Sequence, residues 1–369
     1  MEKKGKAVFF LGVGEPLEER EYPLPEDLEP GAILVKTKIA TVCGSDMHSW
    51  RGRRPFPTPS ILGHEGVGLV ERMGDVNATD ATGKKLSVGD RITWTIMAAC
   101  GECVFCKDYG LPQKCLSLFK YGHSVSDVPP YFLGTFGEYV YLKPGTGIFK
   151  LPDDMPDETA SPLMCAAATI AGGFDRIGVN SGDTVVIQGA GMLGMYGAAF
   201  AKALGAEQVI MVDILDARLE LAKRFGVDHT INAEKLDCDQ QVEAIRELTG
   251  GMGADLLVEV TGFAKVVETG IRMLRIGGRY LLQGAVYPDD TFTLQSHDVI
   301  IKCLTLLGRH NYAPMDLGMA IDLVHQNQGK FPFFELAGPR FPLSAKGVTE
   351  AMIALERKEG IRPIVEPRP

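Results

Sequence analysis

The segment DTVVIQGAGMLGMYGAAFAKAL, residues 183–204, decides the fold prediction. A β-rich run of six residues precedes the glycines, and an alanine-rich run with helical character follows them. Gly189, Gly191 and Gly194 form the pattern GxGxxG between the two runs, and Asp213 stands nineteen positions after Gly194. A glycine-rich turn between a strand and a helix, with an acidic residue about twenty positions further on, is the fingerprint of a dinucleotide-binding unit.

Each part of this fingerprint has an expected role. Gly189 allows the tight turn, Gly191 lets the pyrophosphate approach the backbone, and Gly194 permits close packing of the helix on the strand. The start of the helix, at Met192 and Leu193, offers unpaired N–H groups to the phosphates.

Asp213 and its neighbours indicate which dinucleotide binds. The carboxylate should accept hydrogen bonds from the adenosine ribose and repel a 2′-phosphate, and Ile214 and Leu215 supply no cation. NAD is therefore favoured over NADP. Arg218 could reach the same ribose edge; the alternative is that it lies on a solvated helix face.

Strand and helix patterns alternate around this segment. The pairs are HTIN with QQVEAIRELTG, ADLLVEV with AKVVETGIRML, and GRYLLQG with a stretch that ends at TLLGR. They predict an α/β unit with a doubly wound parallel sheet over residues 166–308. Residues 1–165 instead contain short β-rich runs, which predict a compact β domain. After residue 308 one amphipathic helix and a terminal strand are expected, and residues 309–369 should return to the first domain.

Composition limits the classes of partner. The chain has 369 residues, 45% of them hydrophobic and 23% charged, which is typical of a globular protein with about two domains. A net charge of −9 argues against nucleic acid or an anionic membrane as the main partner. The start of the chain is a poor signal peptide, and the long apolar stretch contains glycines, Gln188 and Lys202, so a cytoplasmic protein without a membrane span is expected.

Four of the eight cysteines are clustered in CGECVFCKDYGLPQKC. Two-residue gaps separate Cys100, Cys103 and Cys106, and Cys115 follows after eight residues. Four thiolates complete a closed tetrahedral zinc site, which should be structural because it leaves no position for a substrate. An iron–sulfur cluster also takes four cysteines, but no other redox motif supports it.

A second candidate centre lies in CGSDMHSWRGRRPFPTPSILGHE, residues 43–65. Cys43 and His64 are donors that zinc prefers, and a further ligand must come from elsewhere in the chain. Ser45, Asp46 and His48 are close enough in sequence to orient a ligand or to move a proton. The alternative is a buried cysteine and a surface histidine in a loop rich in glycine and proline.

This combination of motifs resembles the zinc-containing alcohol dehydrogenases of the medium-chain dehydrogenase/reductase superfamily. The resemblance covers essentially the whole chain. It implies a GroES-like catalytic domain that is interrupted in sequence by a Rossmann domain, with a structural zinc lobe at about residues 97–118. It also implies two zinc ions and one NAD per chain, and a homodimer or homotetramer.

The resemblance assigns roles at the metal centre. Cys43, His64 and Cys165 match the ligands of the catalytic zinc, and Glu65 matches an adjacent acid that can approach the metal. Asp46 matches the carboxylate that orients the ligand histidine.

Further roles follow from the same resemblance. Ser45 and His48 match the hydroxyl and imidazole of a proton relay. Thr169 matches a residue beside the nicotinamide, and Arg362 matches a pyrophosphate contact.

Three positions depart from the family pattern. The gap before Cys115 is eight residues, where the family usually has seven. Gly44 stands where many alcohol dehydrogenases carry a cation, and CGSD is closer to the polyol and threonine dehydrogenases. Those relatives usually take a glutamate as third ligand, and the matching position here is Ser161.

The resemblance implies that the substrate is a small-molecule alcohol or carbonyl compound. Ile96, Phe132 and Leu133 fall where the family lines its pocket, although core packing explains them equally well. Trp50 is a further candidate, or else a loop anchor.

A group of arginines predicts an anionic substrate. The segment WRGRRPFP holds Arg51, Arg53 and Arg54 between the predicted relay and the ligand His64, and guanidinium groups bind carboxylate or phosphonate in a bidentate manner. The segment resembles one in dehydrogenases linked to phosphonate breakdown. Solvated loop cations or a subunit contact are the alternatives. Two other functions remain open: a zinc-independent enone or quinone reductase, and a non-catalytic binding protein that keeps the fold.

Overall fold

The computed structural model describes residues 3–75, 77–284 and 290–367. The strands are β1 Lys4–Phe10, β2 Glu18–Pro23, β3 Ile33–Thr41, β4 Ser60–Ile61, β5 Glu65–Met73, β6 Arg91–Ala98, β7 Phe119–Lys120, β8 Tyr139–Leu142, β9 Thr146–Lys150, β10 Thr184–Gln188, β11 Gln208–Asp213, β12 His229–Asn232, β13 Ala254–Glu259, β14 Leu274–Leu282, β15 Thr305–Gly308, β16 Ala337–Pro342 and β17 Arg362–Glu366. The α-helices are α1 Gly44–Trp50, α2 Val104–Lys107, α3 Asp157–Ala160, α4 Ala166–Ile177, α5 Met192–Ala203, α6 Asp216–Lys223, α7 Cys238–Leu248, α8 Val266–Met273, α9 Ser296–Ile301, α10 Pro314–Asn327 and α11 Ala345–Glu356. Short 3-10 helices span Pro112–Lys114, Ser161–Met164 and Phe333–Leu336.

The chain divides into two compact units. Unit 1 comprises Met1–Cys165, Ala313–Ile321 and Phe333–Pro369, and unit 2 comprises Ala166–Tyr312 and Asp322–Pro332. The sequence assigned all of 309–369 to the first domain, whereas the structure places 309–312 and 322–332 in unit 2. One physical reason is that Phe331 lies against Gly226 of unit 2, where a Cβ would be 3.1 Å from its ring.

Unit 2 contains the predicted parallel sheet. Its strand order is β12-β11-β10-β13-β14-β15, and every pair of neighbours is parallel. Successive residues of a strand point to opposite faces. Val186 belongs to a hydrophobic cluster with Val242 of α7 and Val267 of α8, whereas Ile187 lies beside Gly197 of α5. Helices therefore cover both faces, which confirms the doubly wound α/β prediction.

Unit 1 is built on β-strands, as the sequence predicted. An eight-stranded sheet has the order β16-β17-β3-β5-β6-β7, with β8 added to β3 and β9 to β6, and a three-stranded sheet has the order β2-β1-β4. The strand β17 pairs with β3, so segments from before and after unit 2 share one sheet of unit 1.

Two helices were not expected. The helix α1 lies where the sequence suggested a loop, and α10 follows residue 308, where only one later helix was predicted. None of the helices in the part of the chain that is described has the length and apolar character needed to cross a membrane.

Candidate metal centres and nucleotide-binding turn

One buried carboxylate positions two candidate ligands. Cys43 directly precedes α1, and the carboxylate of Asp46 in the first turn accepts a hydrogen bond from the Cys43 backbone N–H (2.9 Å). The other carboxylate oxygen accepts from the backbone of Gly63 (3.2 Å) and contacts His64 Nδ1 (3.0 Å). Because Asp46 is only 1% exposed, little solvent competes for these bonds.

Gly63 supplies a backbone conformation that the ligand histidine requires. Its φ of +84° lies in the left-handed region, which residues with a Cβ rarely adopt. A Cβ here would also lie 2.5 Å from Thr135 Oγ1 and 2.8 Å from the ring of Phe136. The position therefore demands glycine, and this fixes the direction in which His64 leaves the chain.

Four side chains converge on one point of unit 1. Ligand atoms of Cys43, His64, Glu65 and Cys165 all lie within 4.8 Å of one another, and the two sulfurs are 3.9 Å apart. Two thiolates bound to one tetrahedral zinc ion at about 2.3 Å are about 3.8 Å apart, so the distance between the two sulfurs fits zinc. The hydrogen bond to Cys165 and the charge of Arg362 hold the pKa of Cys43 well below its usual value, against the effect of burial, which favours the thiolate that a metal binds.

Glu65 is buried and forms an ion pair with Arg362. Its Oε1 accepts from Arg362 Nη2 at 2.9 Å, and its Oε2 accepts from Thr41 Oγ1 at 2.6 Å. The hydroxyls of Thr41 and Ser161 are 3.0 Å apart, so Ser161 contributes to this network. Burial raises the pKa of Glu65 to about 8, although Arg362 lowers it. Arg362 is also 5% exposed with its Nε unpaired in the described residues, and its pyrophosphate contact stays a prediction.

The two predicted relay residues lie on one face of α1. Ser45 Oγ is 3.2 Å from His64 Nε2, so the hydroxyl contacts the metal centre directly. His48 follows one turn later, and its Nδ1 is 3.2 Å from Arg53 Nη1. Burial and then the charges of Arg53 and Arg54 hold the pKa of His48 below its usual value. The transfer of a proton between Ser45 and His48 stays a prediction.

A third histidine lies beside the centre and was not predicted. The ring centroid of His123 is 5.3 Å from that of His64, and burial lowers its pKa to about 3. Arg54 Nη2 donates to His123 Nε2 (2.9 Å), while His123 Nδ1 donates to the carbonyl of Tyr121 (2.8 Å). The segment FKYGHSVSD gives no local signal for this role, because only the fold brings it to His64.

The structure corrects part of the predicted substrate set around α1. Arg51 Nη2 lies 2.5 Å from the carboxylate of Glu356 on α11, and its guanidinium lies over the ring of Trp50 at 4.2 Å. Trp50 in turn packs against a hydrophobic core cluster. Arg51 and Trp50 therefore tie α1 to α11, since their interacting surfaces are already used within unit 1.

The apolar substrate candidates also lie in the core. Phe132 and Leu133 belong to a cluster with Leu24 and Tyr139, and Phe132 has no exposed surface. The structure thus assigns Phe132 and Leu133 to core packing. Ile96 is 6% exposed on β6, and its substrate contact stays a prediction.

The four-cysteine lobe brings all its sulfurs together. Their Sγ atoms lie within 4.8 Å of one another, with neighbouring pairs at 3.4–3.9 Å. This spacing fits four thiolates around one zinc ion. The 3-10 turn Pro112–Lys114 lies within the longer gap before Cys115. The candidate ligands are Cys100, Cys103, Cys106 and Cys115.

The glycine-rich turn has the predicted geometry. Gly189 has a φ of +110°, and a Cβ on Gly194 would lie 1.8 Å from the Gly189 carbonyl oxygen. Gly191 precedes α5, which begins at Met192, and a Cβ on Gly191 would meet only Arg218 Nη1, at 4.0 Å. The turn is therefore open where a phosphate would approach, and Arg218 lies at its rim.

Asp213 makes hydrogen bonds to the backbone in addition to its predicted contact with the ribose. Its carboxylate accepts from the backbone of Ala190 (2.7 Å) and of Leu215 (2.9 Å), which links the end of β11 to the glycine-rich turn. In the same unit, the carbonyl of Thr169 accepts from Gln283 Nε2 (2.7 Å). The ribose contact of Asp213 and the nicotinamide contact of Thr169 stay predictions.

Comparisons with known proteins agree with this architecture. A family described as "Alcohol dehydrogenase GroES-like domain" matches residues 29–153, and one described as "Zinc-binding dehydrogenase" matches residues 193–326. The 5-exo-hydroxycamphor dehydrogenase of Pseudomonas putida is 31% identical over 92% of this chain and 93% of its own length.

Solved structures show the same likeness over the whole chain. An alcohol dehydrogenase from Thermotoga maritima has a TM-score of 0.94 and 32% identity, covering 99% of this chain and 100% of its own. A zinc-binding dehydrogenase from Sinorhizobium meliloti, solved bound to NADP, has a TM-score of 0.84 and 26% identity, covering 99% of this chain and 100% of its own. The chain therefore belongs to the zinc-type alcohol dehydrogenases of the medium-chain dehydrogenase/reductase superfamily, which are oxidoreductases acting on CH–OH groups.

Proposed function

We propose that this protein is a zinc-dependent alcohol dehydrogenase that transfers hydride reversibly between an alcohol and NAD. The observation that carries the proposal is the convergence of Cys43, His64 and Cys165 in unit 1, with Asp46 holding the first two in place. Three such ligands leave a fourth position for a substrate oxygen.

The chemistry divides between the bound groups and the chain. A zinc ion, when bound, would supply a Lewis acid that lowers the pKa of an alcohol, and NAD would supply the hydride acceptor. Asp46 accepts the Nδ1 proton of a neutral His64, so the Nε2 lone pair points at the metal position. Ser45 Oγ lies 3.2 Å from the same Nε2, where it can accept the proton that an alcohol substrate loses while it passes its own hydroxyl proton on. His48, one turn further along α1, is the next group that can receive it.

The test compares two cysteines. Purified protein is assayed with NAD against alcohols, polyols, hydroxy acids and hydroxy-phosphonates, and zinc is counted by elemental analysis. Cys165→Ser should lose one zinc ion per chain and more than about a hundredfold of kcat, since a catalytic metal contributes several kcal/mol. Cys238→Ser is the matched control, because Cys238 is exposed and lies outside both candidate metal sets. Absence of turnover with every alcohol, or full activity of Cys165→Ser, would overturn the proposal.

The preference for NAD rests on Asp213 at the end of β11. We expect NAD to have the higher kcat/KM and Asp213→Ala to narrow the difference, because a carboxylate repels a 2′-phosphate. Asp216→Asn is the control, since this neighbouring carboxylate already pairs with Lys235. Arg218→Ala shows whether the guanidinium at the rim of the turn favours NADP. Equal efficiency of both cofactors in the unmutated protein would contradict the preference.

The assembly is proposed on the family resemblance alone. We expect a homodimer or a homotetramer, which light scattering after size-exclusion chromatography would distinguish. A monomer at assay concentration would contradict this expectation.

A further inference from the structure

Lys120 is a partly buried cation without a counter-charge. It ends β7, where it lies opposite Met97 of β6. Within residues 3–75, 77–284 and 290–367, its ammonium group has neither an ion pair nor a hydrogen-bond acceptor. Burying a charge without a partner is costly, so a lysine in this state is a candidate for an external anion.

The turn after Lys120 is attached to the metal centre. The Lys120 carbonyl accepts from the backbone of His123 (3.3 Å) and from Ser124 Oγ (3.2 Å), which closes the turn. A Cβ on Gly122 would lie 2.3 Å from the carbonyl oxygen of Gly63, so the turn packs directly on the residue before His64. Lys120 is therefore held by backbone contacts near the catalytic ligands of unit 1.

Arg54 is a second cation, and its Nη1 group remains available as a hydrogen-bond donor. Its Nε donates to Ser49 Oγ (2.9 Å), and its Nη2 donates to the carbonyl of Ser45 (3.0 Å) and to His123 (2.9 Å). These bonds fix the plane of the guanidinium. Its Nη1 has no hydrogen-bond partner in the described part of the chain, so two N–H donors remain for a ligand.

The electrostatics of Lys120 agree with this arrangement. Burial, together with the charges of Lys114 and Arg54, lowers the pKa of Lys120 to about 8, while Cys165 acts in the opposite direction. The lysine and the arginine thus repel each other, and Cys165 lies close enough to affect the same ammonium group. An oxyanion placed between the two cations would relieve the repulsion.

We propose that Lys120, with the Nη1 group of Arg54, binds the anionic group of an alcohol substrate beside the metal centre. The substrate class is a hydroxy compound that carries a carboxylate, phosphate or phosphonate. This inference rests on the proposed dehydrogenase function. Of the three predicted arginines it keeps Arg54 and replaces Arg51 and Arg53 by Lys120, since Arg51 is already paired with Glu356 and Arg53 contacts His48.

The test separates charge recognition from catalysis. Lys120→Met keeps length and apolar volume, Lys120→Arg keeps the charge, and Lys346→Met removes an exposed lysine of α11 as a control for net charge. For each protein, kcat/KM is measured with a neutral alcohol, with its carboxylate analogue and with its phosphonate analogue. Calorimetric binding of the saturated carboxylate and phosphonate, which cannot be oxidised, gives a readout that does not need turnover.

The expected result is selective. Lys120→Met should lower kcat/KM for the anionic substrates about tenfold to a hundredfold, which is the worth of a hydrogen bond to a charged group, and change the neutral alcohol less than about twofold. Lys120→Arg should retain most of the preference for the anionic substrates over the neutral alcohol. Comparison of the carboxylate with the phosphonate shows which anion geometry Lys120 and Arg54 favour. KM for the anionic substrate should rise above pH about 8, as Lys120 loses its proton, and this rise should vanish in Lys120→Met.

The outcomes distinguish the two proposals. If no alcohol of any kind is oxidised, the proposed function fails and this inference falls with it. If the neutral alcohol is oxidised but Lys120→Met affects all substrates and both binding measurements equally, the inference alone is overturned.

Discussion

The two cysteine centres of unit 1 are built in opposite ways. The four-cysteine lobe takes its ligands from one segment, with Cys100 and Cys115 only 15 positions apart, and Cys100 is exposed. The other centre joins Cys43, His64 and Cys165, which come from three distant segments, and it is buried except at Cys165.

The two centres also differ in how their sulfurs are stabilised. In the lobe, backbone N–H groups contact sulfur, as between Cys100 N and Cys115 Sγ at 3.2 Å. In the other centre, the charged side chains of Asp46, Glu65 and Arg362 surround the ligands. The difference teaches that a site that only holds a metal can take its ligands from one short segment of the chain. A site that leaves a metal position open instead needs side chains from distant segments of the unit.

Metal removal should separate the centres by the largest effect. We expect two zinc ions per chain, and we expect a chelator to remove the ion of the three-ligand centre first, abolishing activity while the protein remains folded, because the closed set of four thiolates exchanges more slowly. Elemental analysis, activity and circular dichroism are followed together. A count of one zinc ion or none per chain in fully active protein would contradict the expected difference between the two centres.

The buried ion pair should give the largest effect of a single mutation. Arg362→Met leaves the Glu65 carboxylate buried without its partner, so at about pH 9, above the Glu65 pKa of about 8, we expect the free energy of unfolding to fall by about 3–5 kcal/mol. The double variant Glu65→Gln with Arg362→Met should lose less, because the uncompensated charge is gone. Denaturant unfolding measures both, and equal losses in the two proteins would show that the pair adds nothing beyond packing.

The carboxylate that orients His64 should have a smaller effect. Asp46→Asn keeps the size but weakens three hydrogen bonds, so zinc affinity and kcat/KM should each fall about tenfold to a hundredfold. The matched control is Glu102→Gln, which changes an exposed acid inside the lobe and should alter neither value. A Glu102→Gln effect as large as that of Asp46→Asn would argue against a specific role for Asp46.

Thiol labelling should give the smallest effect. Hydrogen bonding, led by the Leu116 backbone, lowers the pKa of Cys103 to about 6, and its side chain is partly exposed. In zinc-free protein, iodoacetamide should therefore modify Cys103 several times faster than the buried Cys43. Since the thiolate is the reactive form, the Cys103 rate should fall as the pH drops through about 6. Peptide mass spectrometry measures labelling at both cysteines. Faster labelling of Cys43 would contradict the expectation that Cys103 is the more accessible thiol.

The sequence predicted local features well. The glycine-rich turn, the parallel strands and the four-cysteine set each depend on residues that are close in the chain, so their spacing carries the geometry. The third ligand, Cys165, came only from resemblance to a family, because nothing near Cys165 indicates a metal.

Long-range contacts could not be predicted in this way. The ion pair of Glu65 with Arg362 spans 297 positions, and the contact of His123 with His64 depends on a turn that packs on Gly63. Arg51 appeared available for a substrate because its partner, Glu356, is 305 positions away. Tertiary packing decides which distant residues become partners, and the spacing of residues in the sequence does not reveal it.

The distance in sequence between Glu65 and Arg362 has a consequence for biosynthesis. A ribosome that has finished the four-cysteine lobe has already made every sulfur of that site, so zinc can stabilise it early. The catalytic ligands must wait for Cys165, and Glu65 waits for an arginine made 297 residues later. During translation, Glu65 therefore lacks its counter-charge until β17 is made, and a nascent chain stalled before β17 would hold all four cysteines of the lobe but not the ion pair of Glu65 with Arg362.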